Sequence, residues 1–342
     1  MQKNKVNRVF YPSRGHEKEF PLPFLEQLSA KNKAIFIEYE WVKNIPSSFE
    51  DSTHQLWVCK LAFEQHFLKL CLSRNESVFW QAVHSLFGFE LASSLGQYEK
   101  VYQTVSACSP LVIPKLWHSA SCTKEGGRKF SGFLLTEYLE GQVLTSEQLT
   151  LKQVAQIAEH VALLHQQTSQ YFGALFEREK ILPLKGALKR VPPPMKPEYV
   201  NQNVVAWKQN LKQTLSLLNK HQSIPVDVIE KTVGLVDGLQ ISHFQPIMLD
   251  LRWDQFLQIG GEENLALLDL DAMVWAPREL ELVMLEYLLT PAQAEVFTTV
   301  YTQYHEMPDL KRERSVYRVL LFQMNVLGES NFNRWMAHPV CF

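Results

Sequence analysis

Short apolar segments near the N-terminus alternate with polar residues in the manner of half-buried β-strands. They cover residues 34–42 (AIFIEYEWV), 55–61 (QLWVCKL) and 65–72 (QHFLKLCL). Each is rich in aromatic and β-branched residues, which strands with one face in a core favour. Only residues 62–64 separate the second and third segments, and this is a hairpin length. The pattern therefore predicts an antiparallel sheet in the first third of the chain.

Helical periodicity follows these strands and dominates the chain after residue 141. Apolar residues recur every three to four positions, and Thr150 is well placed to accept an orphan backbone N–H as a helix N-cap. One or two helices are predicted over residues 77–106, a long helix along the apolar positions 154–164, and further helices over residues 204–219, 225–239 and from residue 278 onward. Further strands are predicted at residues 111–117 and 130–141, and a hairpin at residues 255–259 and 265–268. The proline-rich segment at residues 180–197 is predicted to be a loop, because proline lacks a backbone donor.

These elements indicate an α+β protein. A small unit containing an antiparallel sheet, residues 1–140, precedes a larger and mainly helical unit, residues 141–342, with one embedded hairpin. A chain of 342 residues exceeds the usual size of a single compact core, so its length agrees with two packed units.

Composition narrows the classes of partner. The formal net charge of −2 provides no global attraction for nucleic acid or an anionic membrane. The N-terminus lacks the apolar core of a secretory signal, and no apolar run approaches the roughly 20 residues of a membrane-spanning helix. The five cysteines are scattered and never in a CxxC spacing, which argues against disulfides and zinc. We expect a cytoplasmic protein that binds neither nucleic acid nor membrane.

Two aspartates flank the embedded hairpin. Asp250 precedes it in IMLDLRWDQF and Asp269 follows it in LALLDLDAM. Because a hairpin returns the chain to its starting point, both carboxylates can face one cleft. Phosphoryl transfer needs one carboxylate to orient the attacking hydroxyl and another oxygen ligand to hold Mg²⁺. Asp250 fits the first role and Asp269 the second.

This segment resembles the H-G-D-x-x-x-x-N … I-D pattern of the aminoglycoside phosphotransferase and choline kinase family. The resemblance implies a protein-kinase-like fold with two lobes and ATP-dependent phosphorylation of a small-molecule hydroxyl. It makes Asp250 the catalytic aspartate and places Gln255 and Asp269 where the family binds Mg²⁺. Met248 replaces the usual histidine, and Gln255 replaces asparagine with one extra methylene.

Two basic residues complete the expected chemistry. Arg252 is predicted to act with Asp250 by stabilising phosphoryl oxygens, or else to pair with Asp254 or Glu262 on the surface. Lys69 lies within an apolar strand, where an ammonium is costly without an anionic partner. Its partner is predicted to be a phosphate or a carboxylate, unless the strand is an exposed edge.

The family resemblance assigns the remaining nucleotide contacts. Glu90 is the expected helix partner of Lys69, with Glu99 as the competitor. The carbonyl of Glu137 and the N–H of Leu139 would meet the adenine edge, since FLLTEYLEG resembles the family's hinge. The turn at residues 44–53 contains no glycine, so serine and threonine hydroxyls would have to replace close backbone contacts to phosphate.

Other positions have structural interpretations. His165 is predicted to be a satisfied core histidine, and Glu281 to brace the catalytic loop. The acceptor stays open: Asp254, Glu279, Glu281 and Glu286 favour a cation, whereas the basic segment at residues 180–196 favours an anion. A second function also stays open, because Met248, Gln255 and the glycine-free turn are compatible with a pseudokinase that binds a partner protein.

Overall fold

The computed structural model of the chain describes residues 22–45, 54–72, 77–122, 130–145, 149–177, 202–219, 224–261 and 264–342. Most of the glycine-free turn, at residues 46–53, and the proline-rich segment at residues 180–197 lie outside these ranges. No helix in the described ranges has both the length and the apolar character that a bilayer crossing requires.

The N-terminal part is organised around a five-stranded antiparallel sheet. Its elements in chain order are α1 (Leu22–Gln27), α2 (Ala30–Ile35), β1 (Glu40–Ile45), β2 (His54–Leu61), β3 (Glu64–Leu72), α3 (Val78–Phe87), α4 (Leu91–Ser94), α5 (Tyr98–Ser106), β4 (Leu116–Ser121) and β5 (Phe130–Glu137). The strand order is β1-β2-β3-β5-β4, which places β3 in the centre of the sheet. The predicted antiparallel sheet and the β2–β3 hairpin are confirmed.

The first predicted strand is wrong in part. Residues 34–35 belong to helix α2, and β1 begins only at Glu40. The Ser29 side chain accepts the N–H of Asn32 and so caps α2. This local hydrogen bond favours a helical turn at the point where the apolar pattern predicted extended chain.

The C-terminal part is mainly helical and contains two small sheets. Its elements are β6 (Gln142–Val143), α6 (Leu151–His165), β7 (Gly173–Ala174), α7 (Val204–Leu218), α8 (Val226–Leu235), β8 (Gln245–Met248), β9 (Phe256–Ile259), β10 (Asn264–Leu267), β11 (Met273–Ala276), α9 (Arg278–Leu285), α10 (Pro291–Tyr301), α11 (Lys311–Gln323) and α12 (Phe332–Met336). The small sheets have the orders β10-β9-β6 and β7-β11-β8. This arrangement confirms the predicted α+β fold class, with the antiparallel sheet first and the helices after it.

Capping explains why α6 begins where the sequence predicts. Thr150 accepts the N–H of Gln153, and the Gln153 side chain accepts the N–H of Thr150 in return. This reciprocal pair is a capping box, which satisfies two donors that the helix itself leaves without partners. Helix α6 thus starts at a residue fixed by the local sequence.

Two apolar cores flank the large sheet. The smaller core packs Phe24 and Phe36 from the first helices against Phe130 and Phe133 of β5, with edge-on ring contacts 5.1–5.7 Å apart. The larger core joins the helices after β3 to the C-terminal helices. Phe87 of α3, for example, lies 5.6 Å from Trp207 of α7, measured between ring centroids. The larger core therefore packs the helices that follow β3 against the C-terminal helices.

Candidate active site

The β9–β10 hairpin places Asp250 and Asp269 at the same end. Phe256 pairs with Leu267 at the open end of the hairpin. Just beyond this pair, the Leu268 N–H donates to the Gln255 carbonyl over 2.9 Å, which joins the turn after Asp250 to the residue before Asp269. Gly260 and Gly261 close the other end with positive φ angles of 59° and 130°. The predicted embedded hairpin is confirmed.

Lys69 reaches this hairpin from the centre of the large sheet. Its Nζ lies 3.0 Å from Oδ1 of Asp269 and 2.8 Å from Oδ2 of Asp271. Only 6% of the lysine side chain is exposed. Burial alone would lower the pKa of Lys69, but the Asp269 and Asp271 carboxylates raise it above its usual value. The ammonium is charged, and it bridges the two parts of the chain.

Asp250 belongs to the same electrostatic cluster. Burial and the nearby Asp269 carboxylate raise the pKa of Asp250 to about 7, although Arg252 opposes the shift. Burial would also raise the pKa of Asp269, but Lys69 lowers it to about 2. The two aspartates that the sequence predicts thus differ in ionisation: Asp269 is a permanent anion and Asp250 titrates near neutrality. We call Lys69, Asp250, Asp269 and Asp271 the lysine–aspartate cluster.

Sequence reasoning missed Asp271, the most buried acid of this cluster at 3% exposure. Its Oδ2 also lies 3.1 Å from Nε2 of His54 on β2, and Tyr98 on α5 donates its hydroxyl to the Asp271 carbonyl over 2.6 Å. Burial and Asp269 raise the pKa of Asp271 to about 7. Its position two residues after Asp269 was an available clue, since residues two apart in extended chain face the same side.

The predicted pairing of Lys69 with Glu90 is wrong. Glu90 is exposed at the start of α4, and its nearest basic group is His84, 3.9 Å away. Glu99, the competitor, is exposed and accepts a hydrogen bond from Gln103. Helix α5 contributes Tyr98 to the cluster instead of an acid. Asp271, from the loop after the hairpin, therefore takes the place beside Lys69 that the resemblance assigned to a helix glutamate.

The side chains of Gln255 and Arg252 are engaged within the loop after Asp250. Gln255 donates from Nε2 to Oδ2 of Asp250 and accepts the Arg252 N–H at Oε1, both over 3.1 Å. The Arg252 Nε donates to Oδ1 of Asp254 over 3.1 Å, as the surface-pair interpretation expects. Arg252 nevertheless lies near enough to Asp250 to lower the carboxyl pKa against the effect of burial. Its two predicted roles are therefore compatible.

A buried chain of hydrogen bonds supports the segment that leads into Asp250. The Met248 N–H donates to Oε1 of Glu281 over 2.8 Å, and Oε2 of Glu281 lies 2.9 Å from Nε2 of His165. Nδ1 of His165 then meets the Tyr301 hydroxyl at 2.9 Å. The predicted bracing role of Glu281 and the satisfied state of His165 are confirmed. The brace acts on the Met248 backbone, so it does not need a histidine at that position.

The predicted hinge lies at the end of β5. The Glu137 N–H donates to the Lys115 carbonyl over 2.8 Å, and the Glu137 side chain accepts the Lys115 N–H over 3.2 Å. The Glu137 carbonyl accepts the Thr136 hydroxyl over 3.3 Å. Leu139 follows as a half-buried residue just beyond the strand. These contacts hold the end of β5 against Lys115, the residue before β4. Strand β5 also pairs with β3, which carries Lys69.

The cluster offers hard oxygen ligands of the kind that Mg²⁺ prefers. Oδ1 of Asp250 and Oδ1 of Asp271 are buried and have no hydrogen-bond partner among the described residues. The Asp269 side chain is 31% exposed. The described part of the chain has no group of three or more His, Cys, Asp or Glu arranged around a metal position.

Comparisons with known proteins identify the fold. No protein-family model matches the sequence, and no curated protein matches it. Among solved structures, a macrolide 2′-phosphotransferase of type I aligns over 90% of this chain and 97% of its own, with a TM-score of 0.53 and 9% identity. A Plasmodium vivax ethanolamine kinase aligns over 89% and 81%, with a TM-score of 0.51 and 12% identity. A Brachybacterium faecium macrolide 2′-phosphotransferase aligns over 87% and 90%, with a TM-score of 0.50 and 13% identity. The chain therefore has the protein-kinase-like fold that the sequence predicts.

Proposed function

We propose that this protein is an ATP-dependent phosphotransferase that phosphorylates a hydroxyl group of a small molecule. The observation that carries the proposal is the lysine–aspartate cluster, in which Lys69 of the sheet meets Asp269 and Asp271 of the hairpin at 2.8–3.0 Å beside Asp250. This arrangement combines an acid that titrates near neutrality, a permanent anion and a buried cation. The fold shared with known phosphotransferases supports the same reaction class.

In this reaction Asp250 accepts the proton of the acceptor hydroxyl as the hydroxyl oxygen attacks the γ-phosphorus of ATP. The bond between the γ-phosphorus and the oxygen that bridges it to the β-phosphate breaks, and ADP leaves with the bonding electrons. A base with a pKa of about 7 is half deprotonated at neutral pH, which suits a proton acceptor. Lys69 neutralises phosphate charge, and Arg252 stabilises the transferring phosphoryl oxygens.

The hinge and metal roles belong to the same proposal. The Glu137 carbonyl and the Leu139 N–H would contact the adenine edge, and Asp269 would hold Mg²⁺. Bound Mg²⁺ would neutralise the negative charge that develops on those phosphates. Asp269 is ionised at every working pH because its pKa is about 2, so its ligand capacity does not depend on pH.

Two of the four acids that could favour a cationic acceptor are buried. Glu281 and Glu286 are 1% and 0% exposed, and both are engaged in internal hydrogen bonds. Neither can contact an acceptor, which leaves Asp254 and Glu279 as the acids available from the original four. The structure thus weakens the case for a strongly cationic acceptor.

The first experiment measures thermal stabilisation by ATP with and without Mg²⁺. A ligand of the native state raises the melting temperature as its concentration exceeds the dissociation constant. Transfer to a panel of hydroxylated metabolites is then followed by ADP release. Asp250→Asn should lower turnover about 10²–10⁴-fold and leave the ATP dissociation constant within about twofold, because Asp250 serves the acceptor. Equal turnover by the wild type and this variant would disprove the proposal.

A pseudokinase that binds a partner protein is the second candidate. The observation that favours it is the engagement of the Gln255 amide within the loop, at the position where the family resemblance expects a metal ligand. If this candidate is correct, millimolar Mg·ATP should not raise the melting temperature. A Mg²⁺-dependent shift would exclude a protein that has lost nucleotide binding.

A further inference from the structure

Both ends of the Gln255 side-chain amide are occupied within the loop that carries Asp250. Nε2 donates to Oδ2 of Asp250 and Oε1 accepts the N–H of Arg252, each over 3.1 Å. These partners fix the orientation of the amide. The reverse orientation would place Oε1 against the Asp250 carboxylate and the NH₂ group against the Arg252 N–H, and both contacts would then lack a hydrogen bond.

The backbone of Gln255 is fastened as firmly as its side chain. Its N–H donates to the Arg252 carbonyl over 3.1 Å, and its carbonyl accepts the Leu268 N–H over 2.9 Å. The residue is 4% exposed. A side chain on such an anchored backbone can hold a neighbouring group in one position, which is what a reactive carboxylate requires.

The consequence for Asp250 is that its two oxygens are no longer equivalent. Oδ2 is held by Gln255, whereas Oδ1 is buried without a hydrogen-bond partner among the described residues. The free oxygen is therefore the one available to an acceptor hydroxyl. Asparagine has one methylene fewer than glutamine, so the longer side chain at this position changes which group the amide can reach.

We infer that Gln255 is a positioning residue that orients Asp250 and is not a ligand of the metal. Asp269 is then the protein's principal Mg²⁺ ligand, and the site uses one metal-binding side chain where the family pattern has two. This inference rests on the proposed function. A metal ligand at position 255 would affect both the rate at saturating Mg²⁺ and the Mg²⁺ concentration that nucleotide binding requires. A positioning residue would affect the rate alone.

The test measures both quantities for Gln255→Met, Gln255→Glu and the reference variant Asp269→Asn. Thermal stabilisation by ATP across a Mg²⁺ titration gives the half-saturating Mg²⁺ concentration without any turnover. Gln255→Met should lower kcat at saturating Mg²⁺ about 10- to 100-fold, because the base is no longer oriented. It should leave the half-saturating Mg²⁺ concentration within twofold. Asp269→Asn should raise that concentration about tenfold or more.

Gln255→Glu provides the sharper contrast because it is isosteric. It removes the NH₂ donor to Asp250, so a positioning role predicts a loss of kcat and no gain in Mg²⁺ binding. A metal-ligand role predicts that the added carboxylate lowers the half-saturating Mg²⁺ concentration. Melting temperatures without nucleotide confirm that each variant is folded, and either variant alone suffices for the test.

The outcomes separate this inference from the proposed function. A tenfold rise in the Mg²⁺ requirement of Gln255→Met, tighter Mg²⁺ binding by Gln255→Glu, or an unchanged kcat in both variants would overturn the inference alone. Absence of Mg·ATP stabilisation in the wild-type protein would overturn the proposed function and this inference with it.

Discussion

Two clusters of buried charge among the described residues differ in how completely their carboxylates are satisfied. The lysine–aspartate cluster combines three carboxylates with one ammonium and leaves two carboxylate oxygens without hydrogen bonds among the described residues. The second cluster consists of Glu286, Arg314 and Arg318, and we call it the glutamate–arginine cluster. There, both oxygens of Glu286 accept hydrogen bonds from the two guanidinium groups, at 2.9–3.1 Å.

The difference is the one expected between a cluster that holds the fold together and the proposed active site. Burial would raise the pKa of Glu286, but hydrogen bonds from Arg314 and Arg318 lower it below its usual value. Arg318 also donates to the carbonyls of Met336, His338 and Pro339, so this cluster secures the C-terminal segment. In the lysine–aspartate cluster the pKa of Asp250 is instead raised to about 7. Unsatisfied acids at raised pKa are typical of sites that bind ligands or move protons.

The largest effect on stability is expected for Glu286→Ala. Removing this carboxylate leaves Arg314 and Arg318 buried without their main acceptor, and breaking a buried ion pair in this way costs about 3–5 kcal/mol. Urea denaturation should show this loss of unfolding free energy. Arg334→Ala is the matched control, since the Arg334 side chain is 80% exposed and its pair with the half-buried Glu329 should contribute about 1 kcal/mol or less. A Glu286 variant as stable as this control would contradict a structural role for the cluster.

Lys69→Met should affect both stability and nucleotide binding. Without the ammonium, the pKa values of the three aspartates rise in the folded state. A raised carboxyl pKa contributes stability at low pH that is lost as pH rises through the folded-state value. The variant should therefore lose about 3 kcal/mol at pH 8 and less than half as much at pH 5. Its ATP dissociation constant should rise about 10- to 100-fold.

The control for Lys69→Met is Lys100→Met, because Lys100 is exposed on α5. It should change neither the pH dependence of unfolding nor ATP binding. A Lys69 variant whose stability loss is the same at pH 5 and pH 8 would show that the aspartates are not coupled to the ammonium.

Arg252→Gln tests a smaller electrostatic effect. Burial and Asp269 raise the pKa of Asp250, and Arg252 opposes them, so its removal should move that pKa further upward. The base must be deprotonated to act. As the pH is lowered, kcat/KM of the variant should therefore begin to fall at a higher pH than that of the wild type, by up to about one pH unit. An acid limb that moves to lower pH would contradict this arrangement. Asp254→Asn breaks the same surface pair without removing the positive charge and should not raise the limb.

Glu90→Gln should have the smallest effect. Glu90 is exposed and pairs with His84, whereas Lys69 is held by Asp269 and Asp271. The ATP dissociation constant and the melting temperature should stay within about twofold and one degree of wild type, since surface substitutions of this kind have little effect. A loss of nucleotide binding comparable to that of Lys69→Met would restore the helix glutamate as the partner of the lysine.

Features set by nearby residues could be predicted from the sequence. Thr150 and Gln153 fix the start of α6 through hydrogen bonds between residues three apart. The β9–β10 hairpin follows two apolar runs, and Gly260 and Gly261 have positive φ angles where the first strand ends. The two-residue strands β6 and β7 could not be predicted, because two residues are too few to show a periodic pattern. The same limit applies to β8 and β11, whose four residues are all buried and show no alternation.

The residues that meet at the candidate site were easier to predict than their pairing. Asp250, Asp269 and Lys69 could be identified because each stands out against apolar surroundings or matches a family spacing. The pairing of Lys69 was harder to predict, because whether Glu90 or Glu99 faces the lysine depends on how helices α3 to α5 pack between the sheet and the C-terminal helices. No local pattern records which residue of a helix faces a group far away in sequence.

The contacts of Lys69 with Asp269 and Asp271 span 200 and 202 residues of sequence. Closing so long a loop costs chain entropy before the contact itself forms. Such contacts therefore form slowly compared with helices and hairpins. We therefore expect Lys69 to reach the acids only after the sheet and the hairpin have each folded. A folding intermediate that precedes this docking would contain most of the helices and would bind no nucleotide.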